Sequence, residues 1–181
     1  MVQDKLFFGH SVSGLFQKAL GARVTPELRT RLRDTGIDLD KPLLPAYPAP
    51  VFVRCVELAG DALFPNQPRT EQLYEMGRIT VQGFAQIELG SAMFDHLKVM
   101  TPERSMQRLE RSLRAAMNLI SVTFHPKSPT EFELQLNDVV GIPDFFRGLV
   151  EGGSSAAGRT SSVTVSRLEG EGCVLLYRAQ G

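Results

Sequence analysis

Apolar positions recur every three to four residues along the first two-thirds of the chain and alternate along the last third. Residues 11–20 place Val12, Leu15, Phe16 and Leu20 on one side, the spacing of a helix face. Thr25-Pro26-Glu27 offers an N-cap followed by proline at the first helical position, opening a short charged helix that closes near Gly36. Residues 38–50 carry Pro42, Pro45, Pro48 and Pro50 and read as a loop or extended crossover, internal and too short for a domain linker. Val51 to Phe64 resumes an apolar helix, ended by Pro65. The longest helical pattern covers 69–89, where Met76, Thr80, Gly83, Ile87, Gly90 and Phe94 recur at three and four and stack along one face. Thr101-Pro102-Glu103 repeats the cap-plus-proline start. The helix it opens carries Met106, Leu109, Leu113, Ala116, Met117 and Ile120 on its inner stripe.

After Ile120 the period becomes two. Ile120, Val122 and Phe124 alternate, HPKSP makes a turn, and Phe132, Leu134 and Leu136 alternate with Glu131, Glu133 and Gln135. Residues 143–152 return to a helix with Phe145, Phe146, Leu149 and Val150 on its buried side, closed by Gly152 and Gly153. Val163 and Val165 mark a third strand, and Cys173 to Arg178 a fourth beyond the EGEG turn. This order predicts an α+β fold in a single domain over 1–181. An N-terminal helical body of about five to six helices packs on a small, mostly antiparallel C-terminal sheet. That sheet has about four strands, with one helix inserted between strands 2 and 3.

Gly77, Gly83 and Gly90 inside a helical pattern each cost roughly 1 kcal/mol against alanine. Gly83 and Gly90 share a face, and that arrangement serves close approach of a neighbouring backbone or of a ligand. Arg104, Arg108 and Arg111 line a second face of the 102–119 pattern. With Glu103 and Glu110 among them they read as a solvated face.

Charge changes the picture by exclusion. Lys plus Arg equals Asp plus Glu at 20 each, so no global field draws the chain to nucleic acid or an anionic membrane. The N-terminus lacks an uninterrupted apolar signal segment, no run approaches the ~18 apolar residues of a membrane span, and the chain reads as cytoplasmic. Cys55 and Cys173 are isolated thiols, read as buried and reduced. His10, His96 and His125 stand apart, so no metal site is expected. His96 neighbours Asp95, but adjacent helical positions do not face each other, and it reads as a surface histidine. GGSSAAGRTS nearly spells a phosphate-binding loop, yet a helix precedes it and a strand follows, the reverse of the order such a loop needs, and Arg159 stands where the lysine belongs. Nothing here requires an enzyme, and no catalytic residue is assigned.

Tyr74, Glu75, Gly77 and Arg78, a second glycine at Gly83, and then Pro102 and Arg104 resemble the pattern of a lineage-expanded family found in myxobacteria, over roughly residues 12 to 178. Helices followed by strand–helix–strand–strand, with FELQL and then DFFRGLVEG, also resemble a wider group. It comprises the haem–nitric-oxide-binding domains, the vinyl-reductase-type small-molecule-binding domains and the TRAPP vesicle-tethering subunits. The resemblance implies a helical subdomain capping a small sheet, with a ligand or an interface between the layers. Haem-binding members carry a histidine late in the helix before the sheet, where this chain reads Leu113 to Met117. They also carry a Tyr-x-Ser-x-Arg motif for the propionates, roughly where it reads Gln135 to Asp138. On those departures no cofactor is expected and haem is disfavoured.

The reading that results is a non-enzymatic sensory or regulatory module that binds a small apolar molecule between helices and sheet. Gly83, Gly90, Phe94, Met117 and Phe146 are its candidate lining. The alternative is a ligand-free interaction module that dimerises or docks a protein partner, as the TRAPP resemblance implies.

Overall fold

The computed structural model describes residues 4–180. The chain opens with a short strand, β1 (Leu6–Phe8), and one helical turn, α1 (Gly9–Val12), then widens into a π-helical stretch over Ser13–Leu20. Val12, Leu15, Phe16 and Leu20 are buried on its inner side, as their spacing predicts. Helix α2 (Pro26–Thr35) starts at its cap, where the Thr25 hydroxyl accepts the Leu28 N–H at 3.2 Å. Within the proline-rich crossover lies a strand the pattern does not reveal, β2 (Ala46–Pro48), paired antiparallel with β1. Helices α3 (Ala49–Leu63) and α4 (Arg69–Phe84) follow.

Two of the longer helical patterns are divided. The 69–89 pattern stops at Phe84, and α5 (Glu88–Lys98) begins after a tightened turn in which the Gln86 and Ile87 N–H groups donate three residues back, to the Gly83 and Phe84 carbonyls at 3.1 and 3.2 Å. Gly90 therefore does not continue the Gly83 face but abuts the Phe84 carbonyl that closes α4. The 102–119 pattern becomes α6 (Pro102–Gln107) and α7 (Leu109–Arg114), jointed at Arg108 with φ −99° and ψ 4°.

Strands β3 (Val122–Pro126) and β4 (Glu131–Leu136) precede α8 (Pro143–Ala156), which is followed by β5 (Ser161–Glu169) and β6 (Gly172–Ala179). The sheet order is β3-β4-β6-β5 with every pairing antiparallel, so the α+β architecture and the inserted helix stand as expected. Phe132, Leu134 and Leu136 point into the core, and the Phe132 and Tyr177 rings stack across β4 and β6 at 5.8 Å. Helix α8 does not end at Gly152 and Gly153. It runs through both, and the left-handed turn falls at Gly158, with φ +75°.

Helices α4 and α8 meet backbone to backbone. A side chain on Gly77 would collide with the Phe145 carbonyl, and one on Gly148 with the Tyr74 carbonyl. Bare glycine is the only residue type that permits so close a crossing, which is why the chain tolerates glycines inside helices. Among the described residues no helix is long and apolar enough to cross a membrane.

Candidate functional site

At the meeting of α3, α4, α5, α7 and α8 the side chains leave a cavity of about 80 Å³. Its walls are apolar. Phe52 comes from α3, Val81 and Phe84 from α4, Met93, Phe94 and Leu97 from α5, Leu109 and Leu113 from α7, and Phe145, Leu149 and Val150 from α8. Phe7 of β1, and Ala116 and Met117 beyond α7, close another side. No strand of the four-stranded sheet contributes, so the cavity lies within the helical layer and not between helices and sheet. The Phe84 and Phe94 rings stand edge to face at 6.5 Å, and Phe52 and Phe145 at 6.0 Å, which sets the spacing of these walls.

The hydroxyls of Ser11, Thr80, Ser105, Ser112 and Ser154 belong to this lining. Three hydroxyls are satisfied by the protein. Ser11 donates to the Ala116 carbonyl at 3.1 Å, Thr80 to the Met76 carbonyl at 2.7 Å, and the Ser154 hydroxyl pairs with that of Tyr177 at 2.9 Å. The Ser105 hydroxyl is buried and has no partner among the described residues. Burying such a group unpaired costs on the order of 1–3 kcal/mol. Arg159 reaches the cavity from the loop after α8, where its Nη2 donates to the Leu97 carbonyl at 2.6 Å and also to that of Met100. The chain thus uses GGSSAAGRTS as wall: Gly153, Ser154, Ala157 and Arg159 all line it.

Of the five residues the sequence proposes for a ligand pocket, Phe94 and Met117 line this cavity. Gly83 leaves no room for a ligand, because the Gly14 carbonyl of the π-helical stretch occupies the space where its side chain would be. The Gly90 position is filled by Phe84 in the same way. Phe146 is fully buried but outside the lining, and its neighbour Phe145 takes that place. Both are apolar and adjacent on α8, so periodicity alone does not say which faces the void. Ser105 and Arg159 were not foreseen. A helical serine on an apolar stripe was the available signal for the first.

Apart from Arg159, no titratable group of the described residues lines this cavity. No three His, Cys, Asp or Glu among them gather to hold a metal ion. His96 is exposed on α5 and accepts from the Arg108 guanidinium at 3.1 Å. Burial pushes the Cys55 and Cys173 thiols up to about 12. Across the outer seam of α4 and α8, the Tyr74 hydroxyl donates to Glu151, and the Arg147 guanidinium lies 4.0 Å over the Tyr74 ring. Burial first, and then the bond to Glu151, push the Tyr74 phenol up to about 12. Glu151 in turn accepts the Val163 N–H at 2.8 Å, tying α8 to β5. This cluster clasps elements together.

Solved structures share this architecture. An H-NOX protein from S. oneidensis in the Fe(II)NO ligation state superposes with a TM-score of 0.71 at 12% identity, over 95% of this chain and 99% of that one. The Fe(II) unliganded H-NOX protein from K. algicida gives 0.68 at 8% identity, over 96% and 97%. An H-NOX structure determined to probe the function of haem distortion gives 0.67 at 16% identity, over 96% and 95%. Identities this low speak for the fold. They also correct the expectation that no cofactor belongs to this chain and that haem can be set aside. The fold is shared, nearly end to end, with iron- and haem-bearing proteins, so two missing motifs do not set haem aside. No curated protein matches the sequence. A single family profile spans residues 5–178, and by that match the chain belongs to the protein family of unknown function DUF2378.

Proposed function

We infer that the chain is a sensory module whose helical layer encloses a small, largely apolar molecule. The observation that carries this reading is the cavity behind α5 and α7, with apolar walls and a buried hydroxyl, Ser105, that has no partner among the described residues. Natural interiors seldom keep such a group unpaired, and a ligand that accepts from it removes the cost.

Haem is the group that the fold relatives bring to mind, and the residues can be tested against it. The aromatic and aliphatic walls suit the faces of a flat macrocycle, and Arg159 suits an acidic substituent. The lining holds no histidine; Met93, Met106 and Met117 offer thioethers, a donor known at haem iron in other folds. A cavity of about 80 Å³ is below the ~300–1,000 Å³ of pockets that enclose drug-sized ligands. A ring of that size therefore requires the wall of short helices α5–α7 to move outward. Were haem bound, Met106 and Met117 would be side chains available to hold it, and its iron would supply the capacity to take up a diatomic gas.

The wall suits a sensor. Met93, Leu97 and Ser112 line the cavity on one side and an outer groove with Leu89, His96, Arg108 and Arg111 on the other. Filling the cavity presses on residues that also shape the outside. The test is purification of the full chain followed by extraction and mass spectrometry, an absorption spectrum before and after hemin addition, and thermal melts against a panel of small apolar molecules. A co-purifying molecule, a Soret band, or a melting temperature raised by one class of compound supports the reading. A chain that carries nothing, shows no Soret band with hemin, and melts identically with every compound overturns it.

A further inference from the structure

Resting on that reading, one residue narrows the class of ligand. Among the described residues Arg159 is the one charged side chain lining the cavity, and no Asp or Glu lies within ion-pair distance of it. A guanidinium is a permanent cation with five N–H donors in a planar fork. Only Nη2 is committed, to the Leu97 carbonyl in the last turn of α5 and the Met100 carbonyl just beyond it; Nε and Nη1 make no bond to the described residues. The chain fixes where the fork stands. Gly158 adopts φ +75°, and the Arg159 N–H donates to the Ser154 carbonyl at 3.0 Å. The side chain is half-buried, so its solvation is incomplete, while the apolar wall begins at Leu97 and Ala157 beside it.

We propose that Arg159 is the anion-recognising end of the cavity, and that the ligand is an apolar carboxylic acid whose carboxylate meets the free edge of this guanidinium while its hydrocarbon part lies among Phe84, Phe94 and Leu149. Two sources share that chemistry: a fatty acid and the propionate of a porphyrin. Charge-assisted bonds of this kind are worth roughly twice a neutral one, which sets an expected preference of about tenfold for an acid over its uncharged analogue.

The experiment compares octanoate with 1-octanol, and hemin with its dimethyl ester, by calorimetric titration of the full chain and of Arg159→Gln and Arg159→Lys. The wild-type chain is expected to favour the acid in at least one pair by about tenfold or more. Arg159→Gln is expected to bind acid and neutral analogue alike, and Arg159→Lys to keep part of the preference. The pair that shows the preference identifies the source. If acid and neutral analogue bind equally to the wild type, the cavity reading stands and this proposal falls. If Arg159→Gln weakens both members of a pair equally, Arg159 only holds the end of α5, and the proposal falls on that result too. If no compound of either pair binds the wild type, this proposal falls, while the cavity reading is decided by extraction and by melts against the wider panel.

Discussion

Single glycines carry opposite costs in this chain, according to what stands where a side chain would be. A Cβ on Gly83 meets the Gly14 carbonyl, a backbone atom that cannot rotate away, whereas a Cβ on Gly153 meets nothing within 4 Å although the residue is helical. Gly83→Ala is therefore expected to destabilise the fold by about 1–3 kcal/mol through overpacking, while Gly153→Ala gains up to ~1 kcal/mol of helix propensity. Chemical denaturation of the two variants beside the wild type checks both signs. The buried thiols make a second residue-scale statement. Cys55 and Cys173 sit near 12 in the folded chain against an ordinary 9.0, because burial penalises the thiolate. The folded state thus holds these protons more tightly than the unfolded chain does. Their contribution is fully present below pH 9 and is lost as pH rises from there toward 12. Denaturation midpoints should fall through that alkaline window, and the double variant Cys55→Ala/Cys173→Ala should flatten the slope. An unchanged slope in the double variant would show that other groups set it.

At the scale of elements, α4 and α8 are joined twice, by glycine-bare backbones inside and by the Tyr74–Glu151–Val163 chain of bonds at the rim. Tyr74→Phe keeps the ring under Arg147 and removes only the hydroxyl, so it is expected to cost about 1 kcal/mol, the net worth of one hydrogen bond. Glu151→Gln should cost no less, since the same side chain also holds β5; a thermal melt that ranks the two the other way would assign the clasp to the tyrosine alone. Most elements were legible because their signals are strong and local. The caps at Thr25 and Thr101, the alternation at 131–136, and the apolar run of α3 each name their structure without tertiary help. The breaks at 85–87 and at Arg108 were not legible, since the apolar period runs on across both and only packing against Phe84 and the joint at Arg108 interrupts the helix. Strands β1 and β2 were hidden for a different reason: three residues are too few to show an alternation. The end of α8 was misjudged because Gly152 serves close packing against Arg78, a use that sequence cannot tell from a helix stop.

For the molecule as a whole, the cavity is assembled from segments that are far apart in sequence, from Phe7 to Arg159, which is why only Phe94 and Met117 of its lining could be picked out beforehand. The apolar wall residues of the helices look like ordinary core in their own elements; only the fold shows that the core does not close. That incomplete closure has a cost concentrated at Ser105, whose hydroxyl is buried on α6 with nothing among the described residues to donate to. Ser105→Ala removes the unpaired group and leaves the helix intact, so the ligand-free variant should be more stable than the wild type, by about 1–3 kcal/mol if the full desolvation penalty is relieved. A binding role predicts the opposite change when the ligand is present. A molecule that accepts from Ser105 stabilises the wild type in proportion to the logarithm of its concentration over Kd, and the variant less so, because that bond is gone. Melting temperatures of both proteins, each with and without the best compound found, should therefore show the gap between them narrowing or reversing as the compound is added. A gap that stays constant would mean that Ser105 takes no part in binding, and that its hydroxyl is only a defect in a core that happens to leave space.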